Sequence, residues 1–118
     1  MKQDVFRLRS RKDIEHLFRR GRKKESALFR LVALPNALGH LRLALVAPRT
    51  TDKRAVVRNR MRRRAREWVR KEAGILQLPA DVAIVFRKQA CSAPKKIFYE
   101  ELVHAFRGLR RYSVGSSV

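Results

Sequence analysis

Acidic side chains are scarce in this sequence: ten Asp and Glu stand against thirty Lys and Arg, giving a formal net charge of +20 and a pI near 11.7. That scarcity disfavours a protein nuclease of the two-metal kind, which needs converging carboxylates; the acids here are dispersed among arginines. Cysteine is all but missing. Cys91 alone permits no internal disulfide and no Cys cluster for a structural metal, which fits a reducing compartment. Nor does it have the His partner expected of a nucleophile. His16, His40 and His104 are widely spaced, and Glu100, Glu101 and His104 on one helix lack the further ligands of a metal site. No metal or cofactor bound by the polypeptide is expected. Long apolar runs are also absent: none approaches the roughly 20 residues of a membrane span. Met1 to Val5 has no apolar signal-peptide core. The expectation is a cytoplasmic protein with no membrane association.

The hydrophobic fraction, 45%, is ordinary for a folded chain, so the charge does not signal disorder. The 118 residues fit a single domain, 1–118, with a flexible tail from about 112. A cationic excess this large repels itself unless a polyanion neutralises it. Nucleic acid and an anionic membrane are the two candidates. Arginine predominates, and its planar fork pairs bidentately with phosphate and stacks on bases, which favours nucleic acid.

Ser10 and Asp13 form a capping-box pattern ahead of Ile14, Leu17 and Phe18, and Gly21 offers a stop. This predicts a helix over about 10–20, followed by a polar loop from Arg22 to Ser26. Ala27–Leu34 and Leu41–Val46 read as strands, and the six residues between them fit an antiparallel hairpin. Arg49–Lys53 reads as a loop. Ala55–Ala73 lacks Gly and Pro and reads as an amphipathic helix, with Gly74 as its cap. Val57, Met61, Ala65 and Trp68 share its core side. Asn59, Arg62, Arg63, Arg66 and Arg70 gather opposite. Asp81–Arg87 reads as a buried strand. Pro94 opens a last helix with an apolar stripe of Phe98, Leu102, Ala105, Phe106 and Leu109.

The arginine face carries the chemistry. Like charges three and four residues apart destabilise a helix, and pairs such as Arg62–Arg66 and Arg66–Arg70 go unrelieved unless phosphates sit between them. Asn59, between Arg58 and Arg60, adds an amide able to reach a base edge or a 2′-hydroxyl. A DNA-binding regulator is disfavoured by the lack of a compact helix-turn-helix and of a dimerisation heptad. A structural or ribosomal RNA-binding protein remains the alternative.

The run Ala55-Val56-Val57-Arg58-Asn59-Arg60-Met61-Arg62-Arg63-Arg64-Ala65-Arg66 resembles the signature helix of the bacterial ribonuclease P protein subunit. Phe6 to Arg9, Asp13 to Gly21, Leu41 to Val46, Ile84 to Ala90 and Tyr99 to Leu102 extend the resemblance over nearly the whole chain. The resemblance implies an α/β (α+β) fold: a small mixed sheet packed by about three helices, like the second domain of small-subunit ribosomal protein five, with a left-handed βαβ crossover. It implies a role beside a catalytic RNA, which removes the 5′ leader of precursor tRNA with magnesium. It implies that Arg58, Asn59, Arg60, Arg62, Arg63 and Arg66 face that RNA, and that Ile14, Phe18, Arg30 and Val32 line a leader cleft. No obligate protein partner is implied. The sequence departs from the family at 47–54, where a Ser-Lys-Lys-x-Gly-like stretch is replaced by a longer run without Gly, and at Ile14, often aromatic in relatives.

Overall fold

The computed structural model describes residues 5–72 and 74–111. The tail expected from 112 lies outside them. Five strands, β1 (Phe6–Arg7), β2 (Arg22–Glu25), β3 (Phe29–Pro35), β4 (Arg42–Val46) and β5 (Ala80–Phe86), form one mixed sheet in the order β1-β4-β5-β3-β2. The helices are α1 (Arg11–Arg20), α2 (Ala55–Lys71) and α3 (Lys95–Arg107).

Two expectations are corrected. Strands β3 and β4 do not form a hairpin: β5 lies between them, antiparallel to β3 and parallel to β4. β5 is buried along nearly its whole length, so burial is greatest when it is paired on both edges. The connection between β3 and β4 therefore spans two strand spacings, about 10 Å. Asn36 organises this turn, accepting from the Leu38 N–H at 3.0 Å and donating to Asp81 at 2.8 Å, and Gly39 supplies a φ of +75°. The Arg22–Ser26 region is not all loop, since Arg22–Glu25 form β2. Its four exposed charged residues suit a sheet edge, where charge discourages pairing with other chains.

Alternation along the strands builds two cores. Phe29, Leu31, Leu43, Val82, Ile84 and Phe86 face α2 and α3, meeting Met61, Ala65, Trp68, Phe98, Leu102 and Phe106. On the other face, Val32, Ala44 and Ala83 pack with Leu8 beneath Leu17, Ile14 and Phe18 of α1. The Ser10 side chain accepts from the Asp13 N–H at 3.4 Å, as the capping pattern predicts. Gly21 ends α1 with extended, not left-handed, backbone. Glycine is needed there for space: a Cβ would lie 2.5 Å from the Leu17 carbonyl oxygen and 2.7 Å from Val32 Cγ1. At the far end of α2 the cap is Glu72 rather than Gly74, which follows two residues later with a φ of +82°.

The unusual 47–54 loop is anchored to the sheet. Thr51 is buried; its hydroxyl donates to the Phe86 carbonyl at 3.0 Å and its N–H to the Pro48 carbonyl at 2.9 Å. Asp52 accepts from the Arg54 N–H at 2.8 Å and pairs with its guanidinium, so this turn delivers the chain into α2 without glycine.

Candidate nucleic-acid interface

Helix α2 buries Val57, Met61, Ala65, Trp68 and Val69, so the predicted core side is the observed one. Asn59 and Arg63 are exposed at the middle of the opposite face. Asn59 Oδ1 accepts from Arg62 at 3.0 Å, and Arg62 also donates to the Ala47 carbonyl at 3.4 Å, which ties this face to the end of β4. Arg66 and Arg70 are half-buried along the flank facing the N-terminal segment. The Arg66 guanidinium has a pKa below its ordinary value because burial disfavours its charge and Arg7, Arg70 and Arg62 repel it. The self-repulsion inferred from the helical wheel is therefore present in three dimensions, and Arg7 adds to it from another element.

The arginines of α2 do not form one uniform array. Arg58 and Arg60 lie on opposite flanks of the core stripe. Arg60 donates to the Cys91 carbonyl at 3.3 Å, and Arg64 lies 5.8 Å from the centre of the Phe98 ring. These two arginines help seat α2 against α3 and the 3-10 turn Lys88–Cys91. The Nε atoms of Arg58, Arg60 and Arg70 are buried with no hydrogen-bond partner among the described residues. Cys91 donates its thiol to the Thr51 carbonyl, and burial, with Asp52 nearby, pushes its pKa up, the opposite of a reactive thiolate.

The second predicted surface is only partly as expected. Ile14 and Phe18 are half-buried over the small core, and Arg30 is exposed on the same side of the sheet. Val32 is fully buried under α1, so it supports the floor and offers no surface to a ligand. The row beyond the reach of α1 is open instead. Glu25 pairs with Arg30, Arg30 with Val85 and Val85 with Val46 in register, which places these four side chains side by side on the α1 face. Glu25 accepts from both Arg30 and Arg87, holding the two guanidinium groups at the rim. Val46, Val85 and Arg87 were not identifiable from the sequence. Alternation marks them as facing one side, but only strand pairing shows that they adjoin Arg30.

Helix α1 is fixed over this face by a polar cluster. Arg42 donates twice to Asp81, at 2.8 and 2.7 Å, and once to Asp13 of α1 at 3.2 Å. The hydrogen bond to Asp81 raises the Arg42 pKa above its ordinary value.

A family model described as Ribonuclease P matches residues 3–110. The chain is 32% identical over 111 residues to the ribonuclease P protein component of Aliivibrio salmonicida, covering 93% of each. It is 45% identical over 73 residues to that of Xylella fastidiosa, covering 62% of this chain and 53% of the relative, so that match spans about half of the relative's length. Among solved structures, the RNase P protein from Thermotoga maritima superposes with a TM-score of 0.76 at 25% identity, covering 84% of this chain and 93% of that one. The Staphylococcus aureus RNase P protein superposes at 0.79 and 21% identity, covering 88% and 94%.

Proposed function

The chain belongs to the ribonuclease P family, and from that membership we propose that it is the protein subunit of a ribonuclease P ribonucleoprotein acting in the cytoplasm. In this reading α2 binds the catalytic RNA, and the face between α1 and the sheet receives the single-stranded 5′ leader of precursor tRNA. The observation that carries the reading is the arginine face of α2, where Glu67 is the helix's one acid and Arg66 is repelled by Arg62 and Arg70 of the helix and by Arg7 of β1. Phosphates set between these side chains turn repulsion into charge-assisted, bidentate hydrogen bonds.

The division of labour is the one that family membership implies. Among the described residues no group of three His, Cys, Asp or Glu is placed to hold a metal ion. Magnesium in the ribonucleoprotein would belong to the RNA, as would bond cleavage. The protein's work is to neutralise phosphates, to orient the leader against the half-buried apolar surface of Ile14, Phe18, Val46 and Val85, and to place Arg30 and Arg87 beside its backbone.

Reconstitution with a bacterial catalytic RNA at low magnesium tests this. Cleavage of a leader-bearing precursor tRNA should rise when the protein is added. No stimulation at any magnesium concentration would reject the reading in favour of a purely structural RNA-binding role. If six to ten phosphates are neutralised, affinity for the catalytic RNA should fall by about 10³- to 10⁵-fold between roughly 50 and 200 mM salt.

A further inference from the structure

Strand β1 is short. It pairs with β4 only at Phe6–Arg42 and Arg7–Leu43, with one more bond from the Leu8 N–H to the Leu43 carbonyl. The chain then turns away into α1. Beyond Leu43, the outer edge of β4 has no neighbouring strand among the described residues. The gap opens into a cavity of about 300 Å³, within the size range of small-ligand sites. One wall is apolar and half-buried, formed by Val5, Ile14, Leu45 and Val46. The rim is Arg7, Arg9, Arg62 and Arg66. A shallower hollow of about 570 Å³ adjoins it, sharing Val5, Arg7, Arg9 and Arg66 and adding Phe6 and Arg70. Among the described residues no acidic side chain lines either one.

An apolar wall under a rim of guanidinium groups has the chemistry to take a base and its phosphates together. The base gains contact with the apolar side chains, and the phosphates gain bidentate donors. The position matters too, because Ile14 belongs to the α1 face and Arg62 and Arg66 to the α2 face. An RNA strand passing between those surfaces has to cross this edge.

We propose that the concavity between the N-terminal segment, the free edge of β4 and α2 is a slot for one unstacked nucleotide of single-stranded RNA. Its base lies on Val46 and Ile14, and its flanking phosphates lie on Arg7, Arg62 and Arg66. The proposal rests on the RNA-binding reading above. It adds the N-terminal arginines to the interface and joins the two surfaces into one path.

The first measurement compares the full chain's affinity for an eight-residue oligouridylate with that for an abasic sugar–phosphate of equal length. The oligouridylate should bind about 5-fold more tightly, the gain expected from burying roughly 40 Å² of base against the aliphatic wall. Val46→Trp, which fills the slot, should remove that preference. Equal binding of the two probes, or an undiminished preference in a folded Val46→Trp variant, would overturn the proposal. Should Val46→Trp fail to fold, Arg7→Glu, altered at an exposed position, carries the test. It should weaken oligouridylate binding by about 10-fold and flatten the salt dependence by roughly two phosphate equivalents, one for the lost charge and one for the added carboxylate.

Longer RNAs identify the source of the nucleotide. If Arg7→Glu weakens leader-bearing but not leaderless precursor tRNA, the nucleotide comes from the leader. If it weakens the catalytic RNA, the nucleotide comes from there. An effect on neither RNA overturns the slot. Arg63→Ala lies outside the slot and separates the two levels. Should it weaken catalytic-RNA binding while Arg7→Glu changes nothing, the slot is wrong and the functional reading stands. If the unaltered chain does not bind the catalytic RNA, the functional reading itself falls.

Discussion

Arg42 grips Asp81 with two parallel N–H donors, at 2.8 and 2.7 Å, from the adjacent strand. The same guanidinium reaches Asp13, so a pair inside the sheet also fixes the helix that covers it. Asp81→Asn should lower stability at pH 6 by about 2 kcal/mol, since it leaves Arg42 half-buried without its principal partner. Urea unfolding measures this, and a loss within error would show that the pair is only superficial.

Acid should erase that difference. Burial alone would raise the Asp81 pKa, but hydrogen bonds from Arg42 and Asn36 overcome it and the net shift is downward. A carboxylate with a lowered folded-state pKa binds fewer protons in the native state. Its stabilisation is complete above the unfolded value and is lost as pH falls through the folded one. Asp52, lowered from 3.8 to about 2 mainly by the Arg54 side chain and N–H, adds to the loss in the same window. Unfolding midpoints should be flat from pH 6 to 8 and drop below about pH 4, with Asp81→Asn converging on the unaltered protein there. A gap that stays constant to pH 3 would contradict the assignment.

Gly21→Ala should destabilise by about 1–3 kcal/mol. The obstacle is partly backbone, the Leu17 carbonyl oxygen at 2.5 Å, which no rotamer change relieves. Thermal unfolding distinguishes this from a glycine chosen for a left-handed turn, because Gly21→Asn would then be tolerated and here should be worse than Ala.

The arginines of α2 should separate into two groups. Arg62→Ala and Arg63→Ala should weaken RNA binding with a stability change of no more than about 0.5 kcal/mol. Arg64→Ala should show a thermal loss, because the side chain covers the Phe98 ring. A uniform effect on both readouts across all three variants would refute the division.

Trp68→Ala should cost about 3–5 kcal/mol as a core truncation. The indole is 8% exposed and lies 5.1 Å from the Phe106 ring, between α2 and α3. A mild loss would place Trp68 at the surface.

Much of the molecule was legible residue by residue. Three-and-four spacing separates Val57, Met61, Ala65 and Trp68 from Asn59, Arg63 and Arg70 because a helix of fixed pitch assigns faces by arithmetic. The Ser10–Asp13 pattern starts α1 for an equally local reason. The failures are non-local. A hairpin between β3 and β4 is what neighbouring strands usually form, and nothing within Ala27–Val46 records that β5 will enter between them. Arg22–Glu25 carries no apolar alternation because an edge strand needs none. Val32 looked available beside Arg30, yet α1 covers one row of that face and leaves the next open.

The sequence by itself determined the charge, the arginine face and the signature run, since all three depend only on composition and spacing along one element. The tertiary structure decided which surfaces adjoin. Strand order, the early departure of β1 from the sheet and the seat of α1 on the Arg42–Asp81 pair bring Arg7 against Arg66 and Val46 beside Ile14. Those proximities arise from packing between residues far apart in the chain, which no local pattern encodes.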